Sequence, residues 1–227
     1  CIRDSPKAVT YRLVRWFHGA AERTLVPTPS IQQELESRGF DNVVCWTRGV
    51  DAELFRRRSG EIYRLPRPIF LYAGRVAVEK NLDAFLSLDL PGTKVVVGDG
   101  PAKTTLEKRY PEAHWAGFRF GDELARHYAG ADVFVFPSRT DTFGVVMLEA
   151  NACGLPIAAY PVPGPLDVVE EGRTGVLNED LGAACLEALK IDPAGCRQWA
   201  LEHSWARCAE MLFDNLAPTS STHAPDG

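Results

Sequence analysis

The sequence of 227 residues has few of the patterns that carry metal, redox or nucleophile chemistry. Its five histidines, His18, His114, His127, His203 and His223, are scattered without metal-ligand spacing, and no Asp-x-Asp occurs to hold a divalent ion on a diphosphate. Neither a G-x-S-x-G nor a Walker sequence is present, so hydrolase and nucleoside-triphosphatase chemistry have no support. The six cysteines (Cys1, Cys45, Cys153, Cys185, Cys196, Cys208) include no C-x-x-C pair. Several fall in apolar segments, where cysteine behaves as a small hydrophobe, and they read as reduced thiols of a cytoplasmic protein. No run approaches the ~20 apolar residues of a membrane span. A net charge of −5 supplies no positive field for nucleic acid.

What is present is an ordinary globular composition, 45% hydrophobic and 24% charged, with chain enough for one large domain and part of another. From residue 69 onward apolar, β-prone runs alternate with helical patterns. The runs are residues 69–73, 94–97, 114–116, 133–136, 156–160 and 175–177. Such alternation predicts an α/β fold, a doubly wound, Rossmann-like parallel sheet that binds ligands at the carboxyl ends of its strands.

Upstream, residues 6–20 put Val9, Leu13, Trp16, Phe17 and Ala20 on one helical face and Lys7, Arg12 and Arg15 elsewhere. This basic amphipathic helix is open to two readings, a packing helix between domains or a surface for an anionic membrane or lipid. Thr28 and Pro29 form a helix start, closed by Gly39. Residues 56–68 suit a surface linker. Near the end Trp205, Cys208, Leu212, Phe213 and Leu216 recur at helical spacing. Residues 217–227, rich in Ser, Thr and Pro, are expected to be disordered.

The candidate site residues all follow strands. Gly74 ends the first strand of the alternating region, and Arg75 and Lys80 bring two cations to the same loop and helix start, a clamp suited to a diphosphate. The other reading makes them exposed surface cations. Gly98 and Gly100 flank Asp99 after the second strand and allow close backbone approach to a ligand, but with no third glycine the dinucleotide fingerprint is incomplete. Arg119, after the third strand, either stacks on a base or is a surface arginine. The fourth strand leads through Ser138 and Asp141 to an apolar helical segment, residues 144–153, whose one charge is Glu149. Around Thr142, Phe143, Gly144 and Val145 the helix start leaves backbone N–H groups for an anion or polar ligand. Asp141 as a helix cap, with Glu149 paired to a buried arginine, is the competing structural reading.

The segment Asp141-Thr-Phe-Gly-Val-Val-Met-Leu-Glu149 resembles the acidic pair, spaced by seven residues, of family 4 of the retaining glycosyltransferases, two-domain enzymes of the GT-B fold. Their usual first member is Glu, and here it is Asp. Gly74-Arg75 with Glu79-Lys80-Asn81 resembles the family's diphosphate-holding motif, and Gly98-Asp99-Gly100-Pro101 its turn beside the donor sugar. At about 1.5 Å per helical residue the two acids lie about 12 Å apart, a nucleotide sugar's ribose-to-hexose span. The resemblance implies the C-terminal, donor-binding half of a GT-B enzyme. Residues 28–203 would form that domain, residues 1–27 the tail of an otherwise absent acceptor domain, and residues 204–216 a helix crossing back onto it.

It further implies that sugar is transferred from a nucleotide-diphosphate sugar with retention of configuration, without metal or other cofactor. Arg75 and Lys80 would hold the leaving diphosphate, Asp141 a sugar hydroxyl and Glu149 the ribose. Gly74, Gly98, Gly100, Arg119, Thr142, Phe143, Gly144 and Val145 would line the donor site. The partners implied are a nucleotide sugar and a sugar or lipid acceptor reached through the missing domain. The implied setting is the cytoplasm, with peripheral contact at the inner face of the membrane. Two rivals stand beside this: a binding-only module for a nucleotide sugar, which would share every motif, and an NAD-dependent oxidoreductase, which should carry the full glycine fingerprint.

Overall fold

The computed structural model describes residues 6–58, 62–141 and 143–216. Thr142 and the expected disordered tail, residues 217–227, lie outside them. The chain opens with α1 (Pro6–His18), β1 (Thr24–Val26), α2 (Pro29–Ser37) and β2 (Val43–Cys45). There follow β3 (Ile69–Ala73), a 3-10 turn (Val78–Lys80), α3 (Leu82–Leu86), β4 (Thr93–Val97), α4 (Lys103–Arg109) and β5 (His114–Gly117). Next come α5 (Gly121–Ala129), β6 (Val133–Phe136), α6 (Val145–Ala152), β7 (Ile157–Ala159), α7 (Pro165–Val168) and β8 (Gly175–Leu177). Three helices close the chain, α8 (Leu181–Ala188), α9 (Pro193–Glu202) and α10 (Trp205–Asn215).

Two compact units result, residues 1–47 with 206–227, and residues 48–205. In the smaller unit β1 pairs in parallel with β2, Thr24 opposite Val43, over a small core of Val26, Phe40 and Val43. Thr28 caps α2 by accepting from the Ile31 N–H, and Pro29 takes the first helical position. All but the first residue of α10 belongs to this unit, where Trp46 Nε1 donates to the Cys208 carbonyl at 2.9 Å and Arg23 donates to Asn215 Oδ1 at 2.8 Å. The sequence boundary near Thr28 therefore falls inside the smaller unit. Because β2 pairs with β1 and not with the larger sheet, the larger unit begins at Arg48.

That larger unit carries a six-stranded sheet in the order β5-β4-β3-β6-β7-β8, parallel throughout. Every residue of β3, β6 and β7 is buried, which is why these strands read as continuous apolar runs. Alternate residues serve two cores. Ile69, Leu71 and Ala73 pack with Phe134, Met147 and Leu148 on one face, while Phe70 and Tyr72 pack with Val133, Val135, Phe85 and Leu181 on the other. Strand order reverses between β3 and β6. In an open parallel sheet such a reversal leaves a crevice outside the carboxyl ends of the two strands.

Candidate active site

The crevice is built by the loops that follow β3, β4, β5 and β6. Gly74 leaves β3 with its N–H on the Val97 carbonyl, and Gly98 donates to the Gly117 carbonyl, so three successive loops are tied in a row. A side-chain carbon at Gly98 would sit 1.9 Å from the Gly74 carbonyl oxygen, and one at Gly100 2.3 Å from that of Val76. The two glycines thus make room for the close approach of the β4 loop to the β3 loop. Gly98 also lines a cavity, and Gly100 lines neither of the two described next.

Those two cavities meet at Ala73, Gly74, Arg75 and Val146. The first, about 360 Å3, runs toward Gly98, Phe118, Arg119 and Tyr128. The second, about 390 Å3, runs toward Lys80, Ser138, Asp141, Gly144 and Val145. In the second, Lys80 Nζ donates to Asp141 Oδ1 at 2.5 Å with both side chains about three-quarters buried. Arg75 stands at the mouth, 66% exposed and 3.5 Å from Glu79. Asn81 takes the left-handed conformation and its Nδ2 donates to the Pro137 carbonyl, which fastens the Lys80 loop to the loop after β6. Among the described residues no side chain caps α6, and the positive end of the helix, at Val145 and Val146, borders the second cavity.

Of the sequence-predicted residues, Gly74, Arg75, Lys80, Gly98, Arg119, Asp141, Gly144 and Val145 therefore line one continuous depression. Phe143 is buried and lines neither cavity. Thr142 lies outside the described residues. Glu149 also lines neither, yet among the described residues no arginine holds it: its Oε2 accepts from the Tyr128 hydroxyl at 3.0 Å, and Tyr128 walls the first cavity. Burial pushes the Glu149 carboxyl above its ordinary range, and the Tyr128 hydrogen bond works against that. Complete burial, reinforced by the same carboxylate, raises Tyr128 well above the usual phenol range, so the tyrosine stays the donor. Sequence reading missed Tyr128, Ser138 and Tyr72 as wall residues. Ser138 had a usable signal, since it is the second residue beyond a fully buried strand.

The model for the family described as glycosyl transferases group 1 matches residues 67–190. The chain belongs to that family. It is 39% identical over 186 residues to the sulfoquinovosyl transferase SQD2 of Arabidopsis thaliana, a match covering 74% of this chain and 36% of the plant protein. To a GDP-mannose-dependent alpha-mannosyltransferase of Mycobacterium tuberculosis it is 38% identical over 173 residues, 71% of this chain and 46% of that one. This group 1 chain thus matches less than half the length of either relative. Among solved structures, Anabaena Alr3699/HepE in complex with UDP superposes with a TM-score of 0.77 at 18% identity, covering 92% of this chain and 68% of the other. The α/β sheet architecture is that of the GT-B glycosyltransferases.

Proposed function

We propose that this chain binds a nucleotide-diphosphate sugar and forms the donor half of a retaining glycosyltransferase. The observation that carries the reading is the meeting of Lys80 and Asp141, 61 positions apart, in a cavity continuous through Gly74 and Arg75 with one walled by Arg119 and Tyr128. On this reading the diphosphate lies at the junction, between Arg75, Lys80 and the start of α6. Two cations and a helix dipole there stabilise the charge that grows on the leaving group as the glycosidic bond breaks. Nucleoside and sugar extend in opposite directions, the nucleoside toward Arg119 and Tyr128, the sugar toward Asp141. Asp141 accepts from a sugar hydroxyl and orients the electron-poor anomeric carbon. Glu149 keeps acceptor capacity beyond its bond to Tyr128 and serves the ribose hydroxyls.

Cationic side chains supply the clamp, so donor binding is assigned no metal. Acceptor recognition, of a sugar or lipid, is assigned to the part of the relatives' length that this chain does not span, and a cytoplasmic enzyme working at a membrane surface fits a lipid acceptor. This chain alone is accordingly expected to bind donor without turning it over. Thermal unfolding with UDP, GDP, UDP-glucose and GDP-mannose, each with and without excess EDTA, tests the proposal, because a ligand that binds only the native state raises its midpoint. At least one nucleotide should stabilise the chain in chelator. No stabilisation by any of them rejects the reading, and stabilisation that needs added magnesium reassigns the carboxylates to a metal.

A further inference from the structure

Ser138 is 1% exposed, and its Oγ has no hydrogen-bond partner among the described residues. Native proteins leave few buried polar atoms unsatisfied, because each forfeits its bond to water without replacement. This one lies in the wall of the second cavity, with Lys80 and Asp141. Asp141 presents a second orphan there: Oδ1 is held by Lys80, while Oδ2 is buried and bonded to nothing among the described residues. One wall therefore offers an O–H able to donate or accept and a carboxylate oxygen able only to accept.

That pairing discriminates between ligand groups. A phosphate oxygen at neutral pH has no proton to give, so it leaves Asp141 Oδ2 unsatisfied and adds negative charge beside it. A hydroxyl donates to Oδ2, and it or its neighbour on a sugar ring accepts from Ser138 Oγ. We propose that Ser138 is a specificity-determining residue for the sugar of the donor, hydrogen-bonding a ring hydroxyl alongside Asp141, and that it does not contact the diphosphate. The inference rests on the donor-site reading above and adds to it a second sugar-binding group, the Ser138 hydroxyl beside Asp141.

The test is calorimetric titration of the wild-type chain and Ser138→Ala with UDP, GDP, UDP-glucose and GDP-mannose. The variant should lose about five- to tenfold in affinity for the nucleotide sugar that binds and stay within about twofold for the matching bare diphosphate, as for one neutral hydrogen bond. Its thermal midpoint without ligand should be unchanged or higher, because a buried unsatisfied hydroxyl has been removed. Among analogues of that nucleotide sugar lacking one ring hydroxyl, one should bind wild type and variant equally. Equal losses for sugar and bare diphosphate overturn the proposal in favour of a phosphate contact. No loss for either, or a lowered midpoint, overturns it in favour of a structural serine. A wild-type chain that binds none of the four ligands rejects the donor-site reading itself, and this inference falls with it.

Discussion

At the scale of single residues, the two cations of the clamp are held differently and should respond differently to removal. Arg75 is mostly exposed and its pair with Glu79 is long, so Arg75→Ala should change stability by less than about 0.5 kcal/mol. Lys80 is the partner of a largely buried carboxylate, and Lys80→Ala should cost about 1 to 3 kcal/mol in denaturant unfolding by leaving Asp141 without its cation. Both variants should weaken diphosphate binding by roughly 2 to 4 kcal/mol, and calorimetry that finds full affinity in either removes it from the site. Glu149→Gln keeps an acceptor for Tyr128 and removes a charge that burial disfavours, so nucleotide affinity should fall while stability holds or rises slightly. Unfolding of the variant with affinity spared would make Glu149 structural.

His127 supplies a pH signature. It is 8% exposed and its Nδ1 lies 2.7 Å from the Tyr63 hydroxyl. Burial, helped by Arg119 and His114 and opposed by Glu123, pushes it down to about 4 from the usual 6.5. Between those values the unfolded chain binds the proton and the folded chain does not, so stability is full above pH 6.5 and falls by about 3 kcal/mol as pH drops through 4. Glu149, whose carboxyl is raised, acts in the opposite sense and gains on acidification. Urea titrations at pH 7.0, 5.5 and 4.5 should show the fall, and His127→Gln should flatten it. An equal slope in the variant would assign the acid sensitivity to other groups.

At the scale of elements, α6 is apolar on every side because it is buried between β6, β7 and α9. The last carbonyls of such a helix need partners. Arg197 on α9 supplies one, for Ala152: a terminal nitrogen donates to the Ala152 carbonyl at 2.8 Å and, outside the helix, to that of Phe55 at 2.8 Å, and the other to that of Ala52 at 2.9 Å. Arg197 is half-buried, and in place of the pairing with Glu149 that the structural reading expected it serves the carboxyl end of α6. Arg197→Met keeps the stem and orphans three carbonyls, so it should cost about 2 to 4 kcal/mol by chemical denaturation. A loss below about 1 kcal/mol would mean that water satisfies those carbonyls.

At the scale of the whole molecule, α1 exposes Val9, Leu13, Trp16 and Phe17 at 57 to 77%, and in the same unit Phe213 of α10 and Leu216 just after it are exposed. Among the described residues no helix is long and apolar enough to cross a membrane. Clustered apolar side chains on a surface promote association. Sedimentation should show concentration-dependent self-association, reduced in Leu13→Glu and Phe17→Glu, and a monomer at all concentrations would show the patch to be inert. The sequence by itself determined the alternation of strands and helices, the strands buried on both faces, the cap at Thr28 and the post-strand positions of Arg75, Lys80, Asp141 and Glu149, because each follows from local periodicity or local turn chemistry. The strand boundaries shifted by only a residue, as for β7. Only the tertiary structure decided that α2 and β2 join the smaller unit, that Lys80 meets Asp141, that Gly98 and Gly100 make room for a neighbouring loop, that Tyr128 holds Glu149, and that Ser138 faces a cavity unpartnered. Each of these depends on which strands lie side by side and in what register, and that is set by the summed burial of two cores, to which no single window of sequence has access.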